Sequence, residues 1–315
     1  MKKLQIAACA LGLSATVALT AAAQHKWRQR SRNVSTNSGQ VSNCSDLRVS
    51  FGDRRWGYND VVRAEQAATL PVTAGRALAV EASRNGGAYV LGGSRAEYEV
   101  VGCFFATGDT RAEAETLLRK LALNARDGRA SVSGPEERDW VGFLIVRAPR
   151  GAAVDLRGWN GPLEVRGVNG RVTVEAHNGP VSLEDTSGEV EVRAENGPVH
   201  ISGAEGKFTV RLQNGPLHVE LSGTRWQSGG IEASTQNGPI HLEVPRDYQS
   251  GVLVDVSRHS PVQCTAPQCR QAVRTWERPN RIEFGGPPVV RLSTVNGPVT
   301  VSGAQWGPKQ GASEK

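Results

Sequence analysis

Residues 160–220 read NGPLEVRGVNGRVTVEAHNGPVSLEDTSGEVEVRAENGPVHISGAEGKFTVRLQNGPLHVE. Asn-Gly-Pro opens at Asn160-Gly161, Asn178-Gly179, Asn196-Gly197 and Asn214-Gly215, 18 residues apart each time. Weaker corners fall midway, at Asn169-Gly170, Ser187-Gly188 and Glu205-Gly206, so the underlying period is nine. A fixed short period marks a chain that stacks one supersecondary unit. Between corners lie runs of four alternating residues, such as Val172-Thr173-Val174-Glu175 and Val181-Ser182-Leu183-Glu184. Such alternation gives each short strand one apolar and one polar face.

Asn-Gly between alternating strands ordinarily signals a hairpin. Here the residue that would donate the closing hydrogen bond is Pro162, Pro180, Pro198 or Pro216, which has no N–H. A meander would also leave a long apolar face needing a separate layer. Two nine-residue halves closing into one 18-residue coil instead bury that face between two parallel sheets. The fold expected is all-β: a β-solenoid, parallel β-helix or β-roll-like, with about 18 residues per coil and one inserted helix. A single coil buries about four apolar side chains at roughly 1.5–3 kcal/mol each, against about 1–2 kcal/mol of backbone entropy per residue. It can persist only in a stack, where Asn160, Asn178, Asn196 and Asn214 can bond amide to amide at a rung spacing of about 4.8 Å.

The pattern extends beyond the quoted stretch. Asn237-Gly238-Pro239 comes 23 residues after Asn214, placing an insertion near residues 225–229, and Asn296-Gly297-Pro298 closes the array. Residues 70–105 alternate around glycine corners such as Asn85-Gly86, and residues 141–146 form another strand. Asp109-Thr110 can cap a helix over residues 110–125, whose Ala114, Leu117, Leu118 and Leu121 share one face. These signals assign residues 70–303 to the solenoid, with a cysteine-containing loop near 258–280 and a disordered tail at 304–315.

At the other end, Met1-Lys2-Lys3, an apolar run over residues 4–20 and Ala21-Ala22-Ala23 read as a signal peptide, residues 1–23. Ile6-Ala7-Ala8-Cys9 resembles a lipoprotein box but precedes most of the apolar run. No later run is long enough to span a membrane. Removing the leader, with Lys2 and Lys3, lowers the formal charge from +6 to +4 and leaves four cysteines. In an exported chain these read as two disulfides. Cys264 and Cys269 enclose a short proline-containing loop and leave Cys44 for Cys103, one of three possible connectivities. Residues 24–69 read as a largely disordered basic segment, with Lys26, Arg28, Arg30 and Arg32 at its start. Nucleic-acid binding has no supporting motif.

The Asn-Gly-Pro-Val/Leu/Ile pattern, the Ala- and Glu-rich helical insertion and the closing Leu292-Ser293-Thr294-Val295-Asn296-Gly297-Pro298 together resemble the bacterial putative-adhesin family of β-strand-repeat domains. The likeness covers about residues 70–303. It implies an exported protein of the periplasm, cell surface or extracellular space, and brings no catalytic residues. The chain departs from that family in favouring proline after Asn-Gly and in its Cys264/Cys269 pair.

The corners lack the recurring aspartate of a calcium-binding β-roll, so no calcium or other cofactor is expected. The outward positions mix acids, bases and hydroxyls without a catalytic constellation. His200, His218 and His241 stand out: each occupies the same repeat position, so rungs about 4.8 Å apart could bring their imidazoles to one Zn²⁺ or Cu²⁺. The expected function is a non-enzymatic, adhesin-like module binding an envelope polymer or surface protein. A structural or envelope-stress-associated module without an adhesive ligand, and a polysaccharide-active enzyme on a β-helix, are the alternatives.

Overall fold

The computed structural model describes residues 33–36, 40–52, 61–136, 139–257, 260–275 and 278–304. The leader, Cys9, the basic cluster at Lys26–Arg32 and the tail from residue 305 lie outside the described residues.

Alternation of apolar and polar residues produces an all-β molecule with two large mixed sheets, of 12 and 11 strands, and a single α-helix among the described residues. Successive repeat strands alternate between the sheets. Arg171–Asn178, Glu189–Asn196 and Gly206–Asn214 pair in parallel in the first. Val181–Glu184, Val199–Gly203 and Leu217–Leu221 do so in the second. The register is 18 residues, Val172 opposite Val190 and Val181 opposite Val199. Inward residues from both sheets, including Val174, Leu183, Val192, Ile201, Val210 and Val219, form one continuous core.

Proline shapes each corner without interrupting the ladder. The amide of Val181 donates to the carbonyl of Pro198 at 2.9 Å, and that of Gly179 to Asn196 at 3.0 Å, so proline contributes only its carbonyl. The insertion before Asn237 is absorbed outside the strands. Its Trp226 folds back into the core, edge-on to Phe208 at 5.8 Å, and donates from Nε1 to the Gly206 carbonyl at 2.9 Å. The rungs on either side therefore stay aligned, with Leu217 opposite Ile240.

Chain order and spatial order part company at both ends of the parallel run. Leu78–Glu81 lies between Arg129–Ser133 and Val154–Asn160, and Ala88–Gly93 between Trp140–Pro149 and Leu163–Arg166. The final repeat behaves alike. Pro288–Asn296 lies between Gly229–Asn237 and Gly251–Val256, so residues 251–264 form the outer rung although they come earlier in the chain. The array does not loosen and then end in its last repeat; that repeat is an interior rung. Antiparallel strands stand beyond these rungs, Val62–Pro71 on Glu97–Ala106 and Arg278–Phe284 on Gly251–Val256.

Two expected boundaries change. The helix covers Arg111–Leu118, not residues 110–125, because Ala122–Arg126 pairs antiparallel with Arg129–Ser133 through a turn at Asp127 and Gly128, both at positive φ. Thr110 caps it in a capping box with Glu113. Nor is the described part of residues 24–69 without structure. The Cys44–Cys103 disulfide ties it down, and Val41, Leu47 and Phe51 pack on Tyr89, Phe143 and Ile145, the outward face at one end of the second sheet. Arg147 locks this cover, donating to the Ser42 carbonyl at 2.9 Å and to Asn43 Oδ1 at 2.8 Å while pairing with Glu99 at 2.7 Å. The second disulfide joins Cys264 to Cys269.

Candidate functional site

The corners gather the recurrent asparagines into a ladder. Side-chain amides donate from Asn178 to Asn160, Asn196 to Asn178, Asn214 to Asn196, Asn237 to Asn214 and Asn296 to Asn237, at 2.8–3.1 Å. Asn160 donates in turn to Asn85 at 3.2 Å, a seventh member that the 18-residue spacing does not single out. Gly161, Gly179, Gly197, Gly215, Gly238 and Gly297 line the same corner. On each of the last five, a Cβ would overlap the carbonyl oxygen of the glycine one rung away. These residues build the corner and leave the outward faces to carry chemistry.

On the second sheet the outward stripe after each corner runs Tyr89, Glu164, Ser182, His200, His218, His241 and Thr300. Its beginning is closed: Tyr89 is buried beneath residues 41–51, and desolvation there raises its pKa. Glu164 beside it is also raised by burial, despite its 2.6 Å ion pair with Arg166. Further along the stripe is open. His200 and His218 rings lie 5.0 Å apart, and His218 and His241 rings 4.9 Å apart. Glu243 projects from the same rung as His241, with Oε1 3.3 Å from His241 Nε2 and 3.8 Å from His218 Nε2. Ser302 Oγ lies 3.2 Å from His241 Nε2. Partial burial, with His200 and His241 on either side, lowers the pKa of His218. The ligand atoms brought within 4.8 Å of one another are those of His218, His241 and Glu243. His200 lies next to this group, its ring tilted by 37° to that of His218, without joining it, so the geometry draws in a carboxylate in place of the third imidazole.

The first sheet presents a different surface. Its outward ion pairs, Arg157–Glu175 at 3.1 Å, Arg193–Glu191 at 2.6 Å and Lys207–Glu189 at 2.9 Å, are solvated and tie acids to neighbouring bases. Along the corner edge of this sheet, Trp159 remains 51 % exposed and stacks on His177, with ring centroids 4.1 Å apart and planes 12° apart. His177 Nδ1 lies 3.0 Å from Glu195 Oε1. Gln213 and Gln236 continue the groove past His177 and Glu195. On the other side of Trp159 a second groove is lined by Glu81, Ser83, Arg84 and Ser131. Sequence periodicity did not single out Trp159, which lies outside the alternating four-residue runs and directly before a corner. The available signal was a large aromatic at an outward position.

No protein-family model matches the chain, and no characterised sequence matches it. Similar solved structures include a putative cell adhesion protein from Clostridium sporogenes, 9 % identical, spanning 77 % of this chain and 100 % of that one with a TM-score of 0.32. A putative adhesin from Bacteroides fragilis is 10 % identical over 76 % of this chain and 97 % of its own, TM-score 0.30. A putative lipid binding protein from Parabacteroides distasonis has the same identity and coverage, TM-score 0.32. Among the described residues no helix is long and apolar enough to cross a membrane.

Proposed function

We propose that this protein is an exported, non-enzymatic β-solenoid that binds an envelope polymer, in the manner of an adhesin. On this reading residues 1–23 are a leader, the stack from about residue 70 to 303 is the working domain, and two disulfides suit an oxidising compartment. Parallel pairing at an 18-residue register within both sheets supports the solenoid reading.

The observation that carries binding is Trp159. A large aromatic left half exposed and stacked on a second ring offers a flat apolar platform at the edge of a polar face. Beside it Glu195, Gln213 and Gln236 supply one hydrogen-bonding side chain per rung. A linear, hydroxyl-rich polymer such as a polysaccharide matches that arrangement: a ring face can lie on the indole while successive hydroxyls meet successive rungs. Co-sedimentation of the mature protein with insoluble envelope polysaccharides tests this. Retention of the wild type and at least tenfold weaker retention of Trp159→Ala is expected. Equal retention of the two, or none of the wild type, overturns the polymer reading and favours a purely structural module.

A further inference from the structure

We propose that His218, His241 and Glu243 form a surface site for a borderline divalent transition-metal ion, Zn²⁺ or Cu²⁺. The site lies on the outward face of the second sheet, whereas Trp159 belongs to the first, so this inference does not depend on the polymer-binding reading.

Two imidazoles and a carboxylate are a donor set suited to Zn²⁺, and imidazole equally suits Cu²⁺. In a tetrahedral zinc site with bonds of about 2.0–2.1 Å, neighbouring donors stand about 3.3 Å apart. His241 Nε2 and Glu243 Oε1 are already 3.3 Å apart, and His218 Nε2 and the same oxygen 3.8 Å apart. All three donor atoms fall within 4.8 Å of one another. Closing the set is left to side-chain rotation, because strand pairing sets the backbones in register: His218 stands opposite His241 and Glu220 opposite Glu243. Glu220 thereby adds a second negative charge beside the donors without being one of them.

The neighbours border this arrangement. His200 lies against the outer side of the His218 ring, with centroids 5.0 Å apart and planes tilted by 37°. Ser302 Oγ lies 3.2 Å from the same His241 Nε2, so an ion taking that nitrogen displaces the serine hydrogen bond. Side chains 36 %, 36 % and 32 % exposed leave at least one coordination position for solvent, as in an open rather than a closed metal site. An ion here would cross-link two rungs, Leu217–Leu221 and Ile240–Val244, across the insertion that carries Trp226.

Calorimetric titration of the full mature chain with Zn²⁺ at neutral pH tests the site. One saturable site is expected, weakened at least tenfold in His218→Gln and in His241→Gln, and weakened in Glu243→Gln. His177→Gln, on the other sheet, should bind as the wild type does. The same titration read by thermal melting should raise the midpoint of the wild type but not of the His218→Gln/His241→Gln double variant, since an ion held only by the folded state stabilises it. Unchanged melting of the metal-free variants would show that they remain folded. Wild-type protein without saturable binding, or a double variant that binds as tightly as the wild type, overturns the proposal.

Discussion

At the scale of single residues, each corner separates two functions that its sequence merges. Asn196 donates to Asn178 and accepts from Asn214, both at 3.0 Å, yet its side chain is exposed and water can replace either bond. Gly197 has no such substitute. Its φ is +129°, and a Cβ there would overlap the Gly179 carbonyl oxygen of the neighbouring rung. Gly75 provides the comparison, with φ +74° and nothing near enough to meet a Cβ. Asn196→Ala should therefore cost about 1 kcal/mol, the net value of ordinary hydrogen bonds. Gly75→Ala should cost about 1–2 kcal/mol from backbone conformation alone. Gly197→Ala should cost about 3 kcal/mol or more, because backbone strain adds to a clash that only separation of two rungs relieves. Urea denaturation of the three variants checks the order. A Gly197→Ala loss no larger than that of Gly75→Ala would mean that the rungs part easily and that glycine is needed only for its φ. The period made most of this corner legible in the sequence. Asn85-Gly86 was legible as a corner, but not as a member of this ladder, because it is 75 residues from Asn160 and is followed by Gly87 without proline.

For whole elements, periodicity reveals that a strand belongs to the stack but not its place there. Any rung presents nearly the same apolar pair inward and the same ladder of amides to its neighbours, so local sequence hardly distinguishes adjacent slots. The connections decide. Between Ile240–Val244 and Pro288–Asn296 the chain runs out to form Gly251–Val256 and Val262–Cys264, then returns to fill the gap left behind. The helix stops short of its apolar spacing for a related reason: Leu121 continues that spacing and is buried, but Ala122–Arg126 already belongs to a strand ladder. Tertiary pairing overrode a local helical pattern. The metal-site candidate was legible only in part. Two of its imidazoles share a repeat position that sequence exposes, and strand alternation puts Glu243, two residues after His241, on the same outward face; spacing does not specify that Glu243 rather than His200 completes the donor set. Because Pro288–Asn296 is interior, removing residues 288–315 should do more than trim an end. Gly251–Val256 loses its parallel partner while Gly229–Asn237 becomes an edge. Hydrogen exchange should then show loss of amide protection in both segments together, with Arg171–Asn178 still protected. Retained protection of Gly251–Val256 would mean that it can pair directly with Gly229–Asn237.

For the molecule as a whole, a parallel stack has two ends, each an exposed template for further pairing. Here both sheets switch to antiparallel strands at one end, only the first sheet does so at the other, and each disulfide lies close to one end. They act on different lengths of chain. Cys44–Cys103 spans 59 residues, and constraint of the unfolded loop is worth about 4 kcal/mol, against about 2 kcal/mol for the five-residue separation of Cys264 and Cys269. The first also holds Val41, Leu47 and Phe51 over Tyr89 and Phe143, so its loss uncovers apolar surface on a sheet face. The second braces Val262–Cys264, the last strand of its sheet, whose outer side has no further strand among the described residues. Cys44→Ser/Cys103→Ser should lower unfolding free energy by roughly twice as much as Cys264→Ser/Cys269→Ser. The smaller loss should bring the more visible change in solution, because a loosened edge strand leaves Val299–Gly303 open to pairing between copies. Sedimentation velocity over a range of concentrations separates the two effects: concentration-dependent association is expected for the Cys264/Cys269 variant at temperatures where it stays folded. If that variant remains monomeric while losing its 2 kcal/mol, the second disulfide stabilises a loop and the edge is protected by the short length of its strand alone.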